Sequence, residues 1–300
     1  MTDASPLPWD PCAVLGAGIM GSGIAQVAAR RGLRVRLFDV GSEFLERGLT
    51  TIRSALDREV RRGRLDPPGA SEVLSRISPS VDLGPVRDCR FVIEAAPEDL
   101  ALKQGIFRQL DKLTDPSTVL ATNTSSLSIT AIASVVRDPG RVVGLHFFNP
   151  VPAMELVEII PGLRTSERTL EQAREFAEFL GKTVTHSRDY PGFVTTRAMA
   201  VLVNEAIWML HDGLASREDI DQAHRLGFRH PLGPLELADL VGLDTLLAVL
   251  ERLYSGFRDP KYRACPLLVN MVTAGKLGRK SGEGFYTYPR SANGSSEARP

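Results

Sequence analysis

Apolar and polar positions in the first half of the chain follow two alternating spacings. Short, almost continuous apolar runs, such as 12–15 and 91–94, are typical of buried strands. Longer segments with apolar residues three or four positions apart, such as 42–65, are typical of amphipathic helices, and Ser42 is predicted to cap this one. Strands that alternate with helices predict a parallel sheet covered by helices on both faces.

The order of the predicted elements divides the chain in two. The predicted strands are CAVLGAG, LRVRLFDV, FVIEAAPE, TVLATNTS and RVVGLHFFNP, and the predicted helices between them are SGIAQVAARRG, SEFLERGLTTIRSALDREVRRGRL, LALKQGIFRQLDKL and ITAIASVV. Past about residue 188 the spacing is helical, and GFYTY is the one candidate strand. We therefore predict an α/β domain with a mostly parallel sheet, residues 1–188, a link at 185–192, and an all-helical domain, residues 189–300. A helical domain this apolar often shares its core with a second copy, so we expect a homodimer.

Composition narrows the classes of partner. Three hundred residues suffice for two domains, and 43% hydrophobic and 24% charged residues match a folded globular protein. The 36 basic residues equal the 36 acidic ones, which argues against nucleic acid or an anionic membrane as the main partner. The N-terminus lacks the pattern of a signal peptide, no apolar run is long enough for a membrane span, and the terminal segment 291–300 is polar and expected to fray. Three cysteines without metal-ligand spacing predict free thiols, no metal site and a cytoplasmic protein.

A glycine motif lies between the first predicted strand and the first predicted helix. Gly16, Gly18 and Gly21 form G-x-G-x-x-G. In this context Gly16 allows a tight turn, Gly18 lets the backbone approach a pyrophosphate, and Gly21 lets helix and strand pack closely. Asp39 follows the second strand, where a carboxylate accepts hydrogen bonds from ribose hydroxyls and repels a 2′-phosphate. The pattern favours a Rossmann-type site for NAD over one for NADP, and over a turn that binds nothing.

The helix after Asp39 carries four arginines near its end, Arg58, Arg61, Arg62 and Arg64. They form either a solvated face or a cradle for the phosphates of a large anionic substrate such as coenzyme A. The residues alone leave both interpretations open.

The stretch GLHFFNPVPAMELVEII, residues 144–160, contains a histidine and, twelve positions later, an acid in an apolar run. Oxidation of a secondary alcohol by NAD requires a base, and a carboxylate that holds the far ring nitrogen makes histidine a better one. A turn at NPVP and a returning strand MELVEII would bring Glu158 beside His146. The alternative is a histidine that merely packs in the core, and spacing alone does not separate the two.

The run ATNTSSLSI, residues 121–129, is predicted to end a strand at the carboxyl edge of the sheet, where ligands of open α/β sheets bind. Its hydroxyls and amide can hold a substrate oxygen, or they can cap the helix ITAIASVV. Different serines can perform each task.

Together, these segments resemble the 3-hydroxyacyl-CoA dehydrogenases, and in particular the stand-alone bacterial 3-hydroxybutyryl-CoA dehydrogenase type. The resemblance rests on GAGIMGSGIAQVAA, VIEAAPE, TNTSSL, GLHFFNPVPAMELVEII, DYPGFV, GPLELADLVGLDT and GRKSGEGFYTY, and covers roughly residues 11–288. It implies reversible oxidation of an (S)-3-hydroxyacyl-CoA by NAD, in fatty-acid or butyrate-type metabolism. It also implies a Rossmann-type domain and a helical dimerisation domain.

The resemblance also implies roles for particular residues. His146 would be the general base, Glu158 its orienting acid, Ser125 a partner of the substrate 3-oxygen, and Asn149 a partner of the substrate carbonyl. The residues implied to contact NAD are Gly16, Ala17, Gly18, Ile19, Met20, Gly21, Asp39, Glu98, Lys103, Ser125, Asn149 and Lys280.

Two further positions concern the substrate. Arg62 falls near a family lysine that contacts coenzyme A. Thr196 stands where the family often has an asparagine that faces the substrate. Threonine can form one hydrogen bond there but lacks the reach of the amide, so acyl-chain preference or turnover is expected to differ unless another group fills in.

Two alternatives remain at this point. Related dehydrogenases act on free hydroxy acids of the gulonate or carnitine type, and such an enzyme would not need the arginines of the long helix. A cofactor-binding protein with only a structural role would have no reason to keep Ser125, His146, Asn149 and Glu158 together.

Overall fold

The structure, a computed structural model, describes residues 7–289. The predicted frayed segment, 291–300, lies outside the described residues. Between Tyr190 and Pro191 the chain divides into two compact units. The first contains the sheet, and the second is helical.

The first unit contains a sheet whose strands, in spatial order, are β3-β2-β1-β4-β5-β6-β7-β8. The strands are β1 Cys12–Leu15, β2 Val35–Phe38, β3 Ile77–Ser80, β4 Phe91–Glu94, β5 Val119–Thr122, β6 Val142–Phe147, β7 Leu156–Pro161 and β8 Thr183–His186. Strands β1 to β6 are parallel, β7 runs antiparallel to β6, and β8 is parallel to β7. The strand order reverses beside β1, which is where open α/β sheets bind ligands.

The helices of the first unit connect these strands. They are α1 Ile19–Arg30, α2 Ser42–Arg61, α3 Pro67–Ser75, α4 Leu100–Leu113, α5 Ile129–Ala133 and α6 Glu167–Phe179. Every residue of β1, β4 and β5 is buried, which explains why these strands are apolar up to the Glu94 and Thr122 that end β4 and β5. The prediction of a mostly parallel α/β sheet followed by helices is confirmed.

Two predictions about local structure need correction, and several elements were missed. Ser42 is the first residue of α2, and its cap is Gly41, whose backbone is extended. The predicted link at 185–192 begins inside strand β8. Strands β3 and β8 and helices α3 and α6 were not predicted. Strand β3 lies at one edge of the sheet, contains a proline and is largely polar, and so lacks an apolar run.

The second unit consists of helices around their own core. They are α7 Thr195–His211, α8 Arg217–Gly227, α9 Pro234–Val241, α10 Leu243–Phe257 and α11 Pro266–Thr273. The candidate strand GFYTY forms isolated bridges only. It is held instead by the buried Asp239, which accepts hydrogen bonds from the backbone N–H groups of Phe285 and Tyr286 and from the Tyr288 hydroxyl. In residues 7–289 no helix combines the length and apolar character needed to cross a membrane.

Candidate active site

The glycine turn between β1 and α1 has the shape of a dinucleotide site. Gly16 has a φ of +99°, and a Cβ there would lie 2.6 Å from the carbonyl oxygen of Ala95. A Cβ at Gly21 would lie 1.8 Å from the carbonyl oxygen of Gly16. Both glycines are therefore required by packing within the protein. A Cβ at Gly18 would meet nothing within 4 Å, so the space beside Gly18 is open for a ligand to approach the backbone.

The neighbouring residues complete this turn. Gly18 is the N-cap of α1, whose first residues, Ile19 and Met20, present backbone N–H groups that suit a phosphate. The carboxylate of Asp39 accepts from the backbone N–H groups of Ala17 and Val40, each at 2.7 Å. Each carboxylate oxygen can accept a second hydrogen bond, such as one from a ribose hydroxyl. These residues fit NAD.

A buried ion pair supports the next loop. Glu94, at the end of β4, accepts from Lys103 Nζ at 2.7 Å, from the Ala96 N–H at 2.6 Å and from the Thr122 hydroxyl at 2.6 Å. Glu94 and Lys103 are both buried, and Lys103 Nζ also lies 3.6 Å from a carboxylate oxygen of Glu98. Sequence reasoning missed Glu94, although an acid at the end of the buried run FVIE was a signal. Lys103 thus contacts the carboxylates of both Glu94 and Glu98. A contact between Lys103 and NAD stays a prediction.

Glu98 joins the β4 loop to the loop after β5. Its Oε1 atom accepts from the hydroxyls of Thr124, Ser125 and Ser126 and from the backbone N–H groups of Ser125 and Ser126, at 2.6–3.2 Å. Burial raises the pKa of Glu98, but the Lys103 ammonium and these hydrogen bonds outweigh burial and lower it. The side chain is therefore an anion around which the loop is folded.

In the 121–129 run, different residues cap a helix and face a possible ligand, as the sequence allowed. Ser128 caps α5, its hydroxyl accepting from the Ala131 N–H. The amide oxygen of Asn123 accepts from the Phe147 N–H at 2.8 Å, so this oxygen serves the protein rather than a substrate. Of the hydroxyls in the run, that of Ser125 is the one implied to meet the substrate, and Ser125 is partly exposed.

His146 and Glu158 are directly opposite each other on β6 and β7. His146 Nδ1 lies 2.8 Å from Glu158 Oε2, Glu158 is 0% exposed and His146 is 6% exposed. A carboxylate on Nδ1 fixes the tautomer of the ring and leaves proton exchange with a ligand to Nε2. The histidine is therefore held by an acid, as the returning strand MELVEII predicted.

The turn between β6 and β7 is held from two sides. Lys182 Nζ donates to the carbonyl oxygens of Val151 and Met154, at 2.6 and 2.7 Å. Val151 packs on Gly23 of α1, where a Cβ would lie 2.9 Å from the Val151 Cβ. Burial lowers the pKa of Lys182, with a smaller effect from Arg31. Asn149 lies exposed in this turn, at the same edge of the sheet as His146.

Three predicted residues belong to other elements of the structure. Arg62 is the exposed C-cap of α2. Thr196 and Lys280 belong to the second unit, where Thr196 is buried in the first turn of α7 and Lys280 Nζ donates to Asp244 at 2.6 Å. Their roles toward substrate and NAD stay predictions.

A dinucleotide turn followed by an acid that can accept from ribose hydroxyls, and a His–Glu pair at the same edge of the sheet, define an NAD-dependent oxidoreductase. Residues 11–190 match the family model for the NAD-binding domain of 3-hydroxyacyl-CoA dehydrogenase, and residues 192–288 match the model for its C-terminal domain. The chain belongs to the 3-hydroxyacyl-CoA dehydrogenase family, so the predicted family, enzyme class and cofactor are confirmed.

Individual relatives are similar over nearly their whole length. A probable 3-hydroxybutyryl-CoA dehydrogenase of Bacillus subtilis (strain 168) is 49% identical over 275 residues, which are 92% of this chain and 96% of that protein. The crystal structure of (S)-3-hydroxybutyryl-CoA dehydrogenase PaaH1 from Ralstonia eutropha matches with a TM-score of 0.91 at 44% identity, covering 94% of this chain and 100% of that one. The crystal structure of M. tuberculosis FadB2 matches with a TM-score of 0.92 at 43% identity, covering 94% and 99%.

Proposed function

We propose that this protein interconverts (S)-3-hydroxybutyryl-CoA and acetoacetyl-CoA with NAD. The observation that carries the proposal is the 2.8 Å contact between His146 Nδ1 and Glu158 Oε2. The short acyl chain is supported by relatives that are 44–49% identical and are named 3-hydroxybutyryl-CoA dehydrogenase.

In the direction of oxidation, His146 Nε2 takes the proton of the substrate 3-hydroxyl. The resulting imidazolium is stabilised by the Glu158 carboxylate behind it. NAD, when bound at the glycine turn, supplies the acceptor for the hydride that leaves C3. In reduction the imidazolium returns its proton to the 3-oxygen.

Two polar side chains would orient the substrate. The Ser125 hydroxyl would bind the 3-oxygen, and the Asn149 amide would bind the thioester carbonyl and the nicotinamide side of NAD. Binding at these two oxygens would fix C3 relative to His146, which lowers the entropic part of the barrier. The exposed Arg62, with its neighbours on α2, would attract the phosphates of coenzyme A.

The family relationship also supports a homodimer in the cytoplasm, acting in fatty-acid or butyrate-type metabolism. The second unit exposes large apolar side chains, among them Leu214 and Leu226, each 73% exposed, and Phe228, 66% exposed. Apolar side chains of this size on one helical unit support association with a second copy. Sedimentation equilibrium of the purified protein measures the mass directly, and a monomer at micromolar concentration would contradict the dimer.

The proposed reaction is tested by the oxidation of NADH, or of NADPH in parallel, with acetoacetyl-CoA and with 3-oxoacyl-CoA substrates of increasing length. We expect the highest kcat/KM with NADH and the C4 substrate. His146→Gln should abolish turnover but leave NADH binding intact, whereas His186→Gln, on the exposed edge strand β8, should change neither. A His146→Gln variant that kept most of the rate would refute the base. Free coenzyme A that failed to compete would favour a free hydroxy acid as substrate.

A further inference from the structure

Glu98 has more contacts with the loop after β5, residues 123–128 (the serine loop), than a residue that only touches NAD would need. Its Oε1 atom accepts from the Thr124 hydroxyl at 2.6 Å and from the backbone N–H groups of Ser125 and Ser126 at 2.9 and 3.1 Å. These bonds fix the backbone of the loop on both sides of the Ser125 side chain. Moving Glu98 would therefore move the Ser125 hydroxyl.

The three hydroxyls share one acceptor but differ in exposure. Thr124 Oγ1, Ser126 Oγ and Ser125 Oγ lie 2.6, 3.1 and 3.2 Å from the same oxygen. One carboxylate oxygen has about two lone-pair directions, so these donors compete. Thr124 and Ser126 are buried whereas Ser125 is partly exposed, so the Ser125 hydroxyl is the one that a substrate oxygen can reach while the backbone of Ser125 stays anchored.

The anchoring requires a carboxylate. The Oε1 atom of Glu98 accepts from donors of residues 124–126, and its Oε2 atom lies 3.6 Å from the Lys103 ammonium. In a glutamine, one of these two places would hold an –NH2 group, which cannot accept a hydrogen bond. The amide would therefore face either the loop donors or the ammonium with a donor of its own.

We propose that Glu98 is a positioning residue for Ser125. It holds the serine loop in the conformation that presents Oγ to the 3-oxygen of the substrate, and it orients the hydroxyl hydrogen until that oxygen replaces the carboxylate as acceptor. The inference rests on the proposed function, because it assumes that Ser125 binds the 3-oxygen. It adds to the predicted contact of Glu98 with NAD a role that acts through Ser125.

The test is a double-mutant cycle with Glu98→Gln, Ser125→Ala and the double variant, using acetoacetyl-CoA reduction and NADH fluorescence titration. Because a misplacement of about 1 Å can cost about 10²-fold in rate, Glu98→Gln should lower kcat roughly 10- to 100-fold. Its Kd for NADH should change by a smaller factor than its kcat, because the predicted contact of Glu98 with NAD is separate from the role that acts on turnover through Ser125. In the Ser125→Ala background the same substitution should change kcat by less than about threefold, since the residue it positions is gone. Glu178→Gln, on the exposed face of α6, is the matched control and should leave every value unchanged.

The possible results separate cleanly. Multiplicative effects of the two substitutions on kcat, or a weaker NADH affinity with unchanged kcat, would overturn the positioning role. If Glu98→Gln does not fold, Thr124→Val removes the shortest of the loop contacts, and the same cycle with Ser125→Ala decides the question. An inactive wild-type protein would refute the proposed function itself, whereas an active one with an additive cycle would refute only the role of Glu98.

Discussion

The Glu158→Gln substitution isolates the electrostatic contribution of the acid behind His146. Glutamine has nearly the same shape, so its amide oxygen can still accept from Nδ1–H at the 2.8 Å spacing. What is lost is the negative charge beside a ring that becomes positive during the reaction. The substitution should therefore raise the free energy of the transition state more than that of the neutral ground state.

The expected magnitude follows from the geometry. Both side chains are buried, so solvent screens their interaction only partly. Two unit charges about 4 Å apart interact by about 4 kcal/mol at an effective dielectric constant of about 20. Since each 1.36 kcal/mol corresponds to about tenfold in rate, Glu158→Gln should lower kcat about 10³-fold.

The assay is steady-state oxidation of NADH by acetoacetyl-CoA, combined with NADH titration and thermal unfolding. NADH affinity should be unchanged, because Glu158 lies behind His146 and not at the glycine turn. Glu155→Gln, an exposed acid just before β7, is the control and should keep the wild-type rate. A Glu158→Gln variant that is folded and retains more than about a tenth of the wild-type kcat would show that the charge does not stabilise the imidazolium.

Further predictions concern the cofactor turn and the two loops beside it. Gly18→Ala should fold normally but bind NADH more weakly, whereas Gly21→Ala should lower Tm because its Cβ would overlap the Gly16 carbonyl; equal Tm values would contradict this. Asp39→Asn should lower the ratio of kcat/KM with NADH to kcat/KM with NADPH, since it removes the charge that repels a 2′-phosphate. An unchanged ratio would show that the preference for NADH has another origin. The lowered pKa of Glu98 gives stability that is complete above the ordinary glutamate pKa and is lost as the pH falls through the folded-state pKa. Tm measured against pH should therefore fall less steeply on acidification in Glu98→Gln than in the wild type.

The central parts of the fold could be predicted from the sequence because they are buried. Strands β1, β4 and β5 are apolar at nearly every position, and α2 has a clear helical spacing. The edge strands β3 and β8 could not be recognised, since their exposed polar residues resemble loops. Burial leaves a pattern in the sequence, whereas pairing at an edge leaves almost none.

The same distinction applies to the site. His146 and Glu158 are twelve residues apart across a short turn, so a hairpin suggested their contact. The contacts of Glu98 join residues 26 to 28 positions apart on separate elements. The spacing of residues along the chain does not indicate a contact between two separate elements. Only the folded structure shows which serine faces which acid.

The direction of the strands explains why these groups lie together. The glycine turn, Asp39, the Glu98 loop, the Ser125 loop and His146 follow or end β1, β2, β4, β5 and β6, which are parallel, so their carboxyl ends share one edge. A further parallel strand could place an acid beside His146 only after a crossover of a dozen or more residues. The antiparallel return of β7 needs only a short turn, and it sets Cβ atoms of opposed residues about 4.5–5.5 Å apart on the same face. That spacing suits an imidazole hydrogen-bonded to a carboxylate, so the change of strand direction at β6 and β7 is what supplies the base with its acid.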